Sequence, residues 1–203
     1  METQVRRLSY SQIDETMIEE AGRIIRKGGL VAFPTETVYG LGGDALNPES
    51  SKKIYAAKGR PSDNPLIVHI ADKRDLHRIV REVPEKAKKL MEAFWPGPLT
   101  MIFYKNELVP QATTGGLDTV AVRMPSDRIA AAFIRAAGGF VAAPSANVSG
   151  RPSTTTAAHV EEDLSGRIEM ILDGGQAVIG LESTIVDMSV EPPVILRPGA
   201  VTK

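Results

Sequence analysis

Apolar and polar positions follow two different periods along this 203-residue chain. In "SQIDETMIEEAGRIIRKGG", Ile13, Met17, Ala21 and Ile24 recur at helical spacing, and Gly28 is placed to end the helix. Asn47, Pro48 and Gly59 bracket a second helix in "NPESSKKIYAAKG", as N-cap, first helical residue and residue past the end. Asp72 caps a third, "PEKAKKLMEAF" reads as a fourth, "SDRIAAAFIRAAGG" as a fifth capped by Ser126, and "TTTAAHVEEDL" as a sixth. Short apolar runs between them read as strands: "LVAF" stopped by Pro34, "LIVHI", "LTMIFY", "TVAVRM", "FVAA", "IEMILD", "STIVDM" and "PVILR". Helices and strands alternate early and strands dominate late. That order predicts an α/β fold, a twisted mixed parallel/antiparallel sheet flanked by helices. Ligands of such sheets collect at strand ends.

Composition narrows the function. The chain is 42% hydrophobic and 24% charged, with a net charge of −1. It is globular, and any polyanion site must be a local cluster. With no cysteine, disulfides, thiolate metal sites and a cysteine nucleophile are excluded. "METQVRRLSY" carries no signal peptide and no window approaches a membrane span, so a cytoplasmic protein without membrane contact is expected. There is no repeat or evident linker, so residues 1–203 are expected to form a single domain.

Five segments join a strand to hydroxyl, amide or cationic side chains: "PTETVYGLGGDA", "KGRPSDNP", "VRMPSD", "APSANVSGRPSTT" and "GLESTIVD". Lys58 and Arg60 lie two apart across Gly59. On an extended loop both point the same way, and Pro61 biases Arg60 toward that conformation. Such a pair suits a triphosphate, and it also suits a solvated turn. His69 sits in an apolar strand, as a core histidine or as a ligand-facing donor. Ser145 lacks the glycines of a nucleophile elbow, so it reads as a hydrogen-bonding group. "GLGGDA" lacks the strand and helix that a dinucleotide fingerprint needs, so its glycines are read as allowing a tight turn and close approach to a ligand or another strand. No Walker A sequence and no H-E-x-x-H spacing occur. Glu36, Glu182 and Asp187 are the acidic candidates for a metal or a base, and magnesium bridged by phosphates needs few protein ligands.

In order, "FPTETVYGLG", "KGRPSDNPLIVHI", "FWPGPLT", "VAVRMPSD", "AAPSANVSGRPS" and "LESTIVD" resemble the YrdC-like family of threonylcarbamoyl-AMP synthases over roughly residues 10 to 200. The resemblance implies a YrdC-like sheet around a basic cavity. It implies a reaction of L-threonine, bicarbonate and ATP, with Mg2+ accompanying ATP, whose product passes to a tRNA threonylcarbamoyl transferase complex. By motif position it assigns Thr37, His69, Arg123, Ala143 and Ser183 to threonine. It assigns Lys58, Arg60, Asn64, Thr119, Ser145, Asn147, Ser153 and Arg197 to ATP, with Lys58 and Arg60 catalytic. An apolar contact for the threonine methyl is expected from Val186 or Leu66. Some members carry a further C-terminal domain, so the chain is a short member or a piece of a two-domain one. RNA contact is the alternative: a non-catalytic RNA-binding module, against which the neutral net charge counts. A carbamoyltransferase of the hydrogenase-maturation kind needs Cys-rich segments that this chain lacks.

Overall fold

In the computed structural model, which describes residues 1–202, the chain runs β1 (Gln4–Arg7), α1 (Glu15–Arg26), β2 (Val31–Phe33), β3 (Gly40–Asp44), α2 (Pro48–Lys58), β4 (Ile67–His69), α3 (Lys73–Ile79), α4 (Glu85–Phe94), β5 (Leu99–Tyr104), β6 (Thr119–Arg123), α5 (Arg128–Ala136), β7 (Val141–Ala142), α6 (Ala157–Leu164), β8 (Met170–Asp173), β9 (Thr184–Asp187) and β10 (Val194–Arg197). Among the described residues these strands form a ten-stranded sheet of order β1-β8-β2-β3-β7-β4-β6-β5-β9-β10. It is mixed: β1–β8, β8–β2, β4–β6 and β5–β9 are parallel and the remaining pairs antiparallel. The α/β expectation is met.

Short polar side chains set the starts of all helices but α4, which follows Pro84 without one. Asp14 caps α1, accepting from the amides of Thr16 at 2.9 Å and Met17 at 3.1 Å. Asn47 and Asp72 cap α2 and α3 as expected. On α5 the cap is Asp127 rather than Ser126. Its carboxylate accepts from the Ala130 amide, so the helix begins one residue later than predicted. The apolar stripe of α1 is also rotated by one residue. Ile18, Ala21, Gly22 and Ile25 are buried, whereas Ile13, Met17 and Ile24 are half-buried at its edge.

β1 and β3 are strands absent from the sequence reading. "GLGGD" is not a turn: it pairs antiparallel with β2 and β7. Its glycines do permit close approach. A Cβ on Gly42 would stand 2.9 Å from Val141 Cγ1, and one on Gly43 2.9 Å from Ile54 Cδ1.

Alternation assigns the faces of the sheet. Ala32, Leu41, Leu66, Val68, Val120, Val122, Met101 and Val186 enter one large core. On the opposite face Val31, Phe33, Val141, Ala143, Met170 and Leu172 pack against α1 and α5 in a second core. Register pairs Ile67 with Ala121, His69 with Arg123, Ala121 with Ile102 and Thr100 with Ile185, all on this second face. The core under α1 and α5 reaches Ala143 and takes in none of these residues, so this half of the face is left for something else.

The crossing of α1 and α5 yields a test. A Cβ on Gly22 would lie 2.5 Å from the backbone carbon and oxygen of Ala136. Gly→Ala inside a helix ordinarily stabilises by up to about 1 kcal/mol. Here Gly22→Ala is expected to destabilise by about 1–3 kcal/mol through overpacking. A thermal melt checks it, and a raised Tm contradicts the packing.

Candidate active site

The half-face beyond Ala143 lines a cavity of about 300 Å³. Its floor is the half-buried row Ile67, Ala121, Ile102 and Ile185, and its polar lining includes Arg60, Asn64, His69, Arg123, Ser145, Glu182, Ser183 and Arg197. Alternation explains a correction. Leu66 and Val186 were expected beside a ligand methyl, but both point into the large core. Ile67 and Ile185, one residue along, face the cavity, because a step of one residue changes the face.

Arg123, at the end of β6, is 4% exposed. Its Nε donates to the Gly97 carbonyl at 3.3 Å, Nη1 to Thr37 Oγ1 at 2.9 Å and Nη2 to Glu36 Oε1 at 2.6 Å. A guanidinium has five N–H groups. One therefore remains on each terminal nitrogen, the pair that grips a carboxylate end-on. Thr37 sits behind Arg123. Thr35 donates to the Val38 carbonyl at 2.6 Å, so in the 2.9 Å contact between the two threonines it is Thr37 that donates to Thr35. The protons run Arg123 to Thr37 to Thr35 to Val38, and the order fixes each hydroxyl. Glu36 Oε2 is buried with no hydrogen-bond partner.

His69 ends β4, is 4% exposed and meets the Phe33 ring edge-on at 5.9 Å. The Ile67 carbonyl, 3.0 Å from Nδ1, can only accept, which puts the proton on Nδ1 and leaves Nε2 to accept. Burial, aided by the charge of Arg123, pushes its pKa down to about 3, so the ring is neutral.

The Lys-Gly-Arg pair does not behave as one extended strip. Lys58 is the last residue of α2, and Gly59 turns the chain in the left-handed region with φ 63°, sending the two side chains apart. Arg60 enters the cavity. Its Nε and Nη2 are held by the Asn64 and Pro65 carbonyls at 3.2 and 3.0 Å, and three N–H groups are left over. Lys58 goes beneath the loop from Ser145 to Asn147 and is 1% exposed. Its ammonium donates to the carbonyls of Ser145 and Asn147, and the Ser149 amide donates back to the Lys58 carbonyl at 2.9 Å. Burial, then the nearby Arg60 charge, lowers its pKa to about 8.

Of the residues singled out from sequence, Arg60, Asn64, His69, Arg123, Ala143, Ser145, Ser183 and Arg197 line this cavity. Lys58, Thr37, Asn147, Ser153 and Thr119 do not line it. Asn147 is 6% exposed and ties its own loop through the Val148 and Arg151 carbonyls. Ser153 is bonded to the cavity's Glu182 at 3.1 Å, and Thr119 lies two residues before Ala121 on the same strand face. A register shift between Ile195 and Arg197 sets Arg197 opposite Ile185, on the cavity face. No group of three or more His, Asp or Glu able to hold a metal occurs among the described residues, and Glu182 is the one carboxylate lining the cavity among them.

The neutral state of His69 has a measurable cost. Its folded pKa lies below its unfolded value, so the unfolded chain takes up a proton that the folded chain refuses. Stability must fall as pH drops from about 6.5 toward 3. Between pH 6 and 4.5 the loss attributable to His69 is about 2 kcal/mol. Urea titrations at both pH values, wild type against His69→Gln, should give a shallower acid dependence in the variant. Parallel curves contradict the assignment.

Known proteins agree on the kind of molecule. The family model Sua5_yciO_yrdC, described as telomere recombination, matches residues 23–199. Threonylcarbamoyl-AMP synthases of Pyrococcus abyssi and Bacillus subtilis are 56% and 54% identical over 93% and 94% of this chain, which spans 55% of the length of each. The synthase of Halorhodospira halophila is 36% identical over 77% of this chain and 82% of its own. The crystal structure of P. abyssi Sua5 complexed with L-threonine superimposes with a TM-score of 0.96 at 53% identity, over 98% of this chain and 58% of that one. E. coli YciO shares the fold, with a TM-score of 0.89 at 24% identity over 98% and 97% of the two chains. No helix among the described residues is long and apolar enough to cross a membrane. With its family match, these relatives and a sheet face built as described, the chain belongs to the Sua5/YciO/YrdC family.

Proposed function

We propose that this chain carries the synthetic centre of a threonylcarbamoyl-AMP synthase, as one YrdC-like unit working in the cytoplasm. It joins L-threonine, bicarbonate and ATP to give threonylcarbamoyl-AMP, pyrophosphate and water, and the product goes to a tRNA threonylcarbamoyl transferase complex. The names of its relatives and the threonine in P. abyssi Sua5 support the reading. The observation that carries it is the supply of unused donors: two N–H groups on Arg123 and three on Arg60, in one cavity with an apolar floor.

In this reading the threonine carboxylate takes the two free N–H groups of Arg123. The threonine hydroxyl donates to His69 Nε2. The methyl lies on the floor formed by Ile67, Ile102, Ala121 and Ile185, with Ala143 and Ser183 at its sides. The amine combines with bicarbonate, losing water, to give the carbamate. A carbamate oxygen attacks the α-phosphorus, the bond to the bridging oxygen breaks, and pyrophosphate leaves. Charge grows on phosphate oxygens, so fixed cations supply most of the catalysis. Arg60 offers N–H groups directly, while Lys58 holds the Ser145 to Asn147 loop and adds its charge from behind it. Asn64, Thr119, Ser145, Asn147, Ser153 and Arg197 complete the nucleotide's surroundings. A magnesium ion arriving on ATP would be held chiefly by the phosphates, with Glu182 as the cavity carboxylate available to it once freed from Ser153 and Arg197; its chemistry would be to neutralise the leaving pyrophosphate.

Pyrophosphate release is the test. It should require threonine and bicarbonate together. Serine, lacking one methyl, should lose roughly 10- to 100-fold in kcat/KM. Arg60→Ala should lose about 100-fold or more. Release indifferent to the amino acid defeats the threonine assignment, and RNA binding with no release favours the RNA-binding module instead.

A further inference from the structure

Glu182 makes a contact that the proposed reaction does not use. Its Oε1 accepts from Ser153 at 3.1 Å, and its Oε2 accepts from Arg197 Nη1 at 2.7 Å. Both partners belong to the proposed nucleotide site, and Glu182 itself lines the cavity. A carboxylate bridging a serine hydroxyl and a guanidinium presents to them what a phosphate would: two oxygens and a negative charge.

Arg197 does not need Glu182 to keep its place. Its Nε and Nη2 donate to the Ser183 carbonyl at 3.1 and 2.9 Å, and Nη2 also reaches Ser183 Oγ at 3.2 Å. The backbone of Glu182 is fixed as well. Its carbonyl accepts from the Ala200 amide at 3.1 Å, and Gly199 packs so close that a Cβ there would lie 2.4 Å from it. The movable part is the carboxylate, about a third of whose side chain is exposed.

We propose that Glu182 is an internal counter-anion at the phosphate end of the cavity, which an incoming phosphate chain must displace from Arg197 and Ser153. The inference rests on reading the cavity as a nucleotide site. It makes Glu182 a specificity residue. Bare anions, pyrophosphate among them, compete with a carboxylate already in place, whereas a complete nucleotide brings further contacts along the cavity. Weak retention of bare pyrophosphate in turn speeds its departure as product.

The probe is inorganic pyrophosphate in metal-free buffer, titrated calorimetrically into wild type, Glu182→Gln and Glu182→Ala, with thermal melts to verify folding. Removing the counter-charge of this partly exposed pair should tighten pyrophosphate binding roughly three- to tenfold in both variants. Equal or weaker binding in the variants overturns the inference and makes Glu182 a simple positioning group. Failure of wild type to bind either pyrophosphate or ATP overturns the nucleotide-site reading beneath it.

Discussion

Everything functional here depends on alternation across four neighbouring strands whose second face lies beyond the helical cover. On β4, β6, β5 and β9, one set of positions is apolar and enters the large core. The other set, Ile67 and His69, Ala121 and Arg123, Ile102, and Ile185 with Ser183 just before its strand, lines the cavity. The core under α1 and α5 takes in Ala143 and Ala71 and stops short of this set. A sheet face left with an apolar floor and a rim of arginines is a binding surface by construction. Loops then add Arg60, Asn64 and Ser145 to the same cavity.

Arg123 is the most expensive part of that surface. Burying an ion pair brings little net stability, because desolvation offsets the attraction. The Arg123–Glu36 pair, with Glu36 Oε2 left unpartnered, is therefore poorly explained as a stabilising device. Its geometry is better explained by orientation. Gly97, Thr37 and Glu36 each take one N–H group and leave two in a fixed plane. A neutral His69 beside it avoids adding a second charge to the same buried spot. Lys58 applies the same logic beneath the neighbouring loop, where a buried ammonium fastens the carbonyls of Ser145 and Asn147 from below.

The element order and most strands were readable because apolar period and caps are local signals. Asn47, Pro48 and Gly59 sit where they were expected. β3 was not readable, because "GLGGD" has the composition of a turn. Its strand identity comes from Phe33, Val141 and Ile54 packing where side chains would otherwise stand. The cap of α5 slipped by one residue because Ser126 and Asp127 are both good caps. The site residues were legible as motifs, but their facing was not. Choosing Leu66 and Val186 over Ile67 and Ile185 needs the register, which only the partner strands supply. The separation of Lys58 from Arg60 turns on one left-handed glycine. The place of Arg197 depends on a register shift in β10 that leaves no mark in "PVILR".

The cavity rests on which side chains face it, and β9 tests that facing most directly. Calorimetric titration of L-threonine into Ile185→Ala and Val186→Ala, with the melting temperature of each, separates the two faces. Ile185→Ala should weaken threonine binding by at least about fivefold with little change in Tm, since it trims the cavity floor. Val186→Ala should lower stability by about 1–3 kcal/mol and leave threonine affinity within about twofold, since it opens a void in the core. The reverse pattern, or identical effects from both, would contradict the assignment of faces on which the cavity rests.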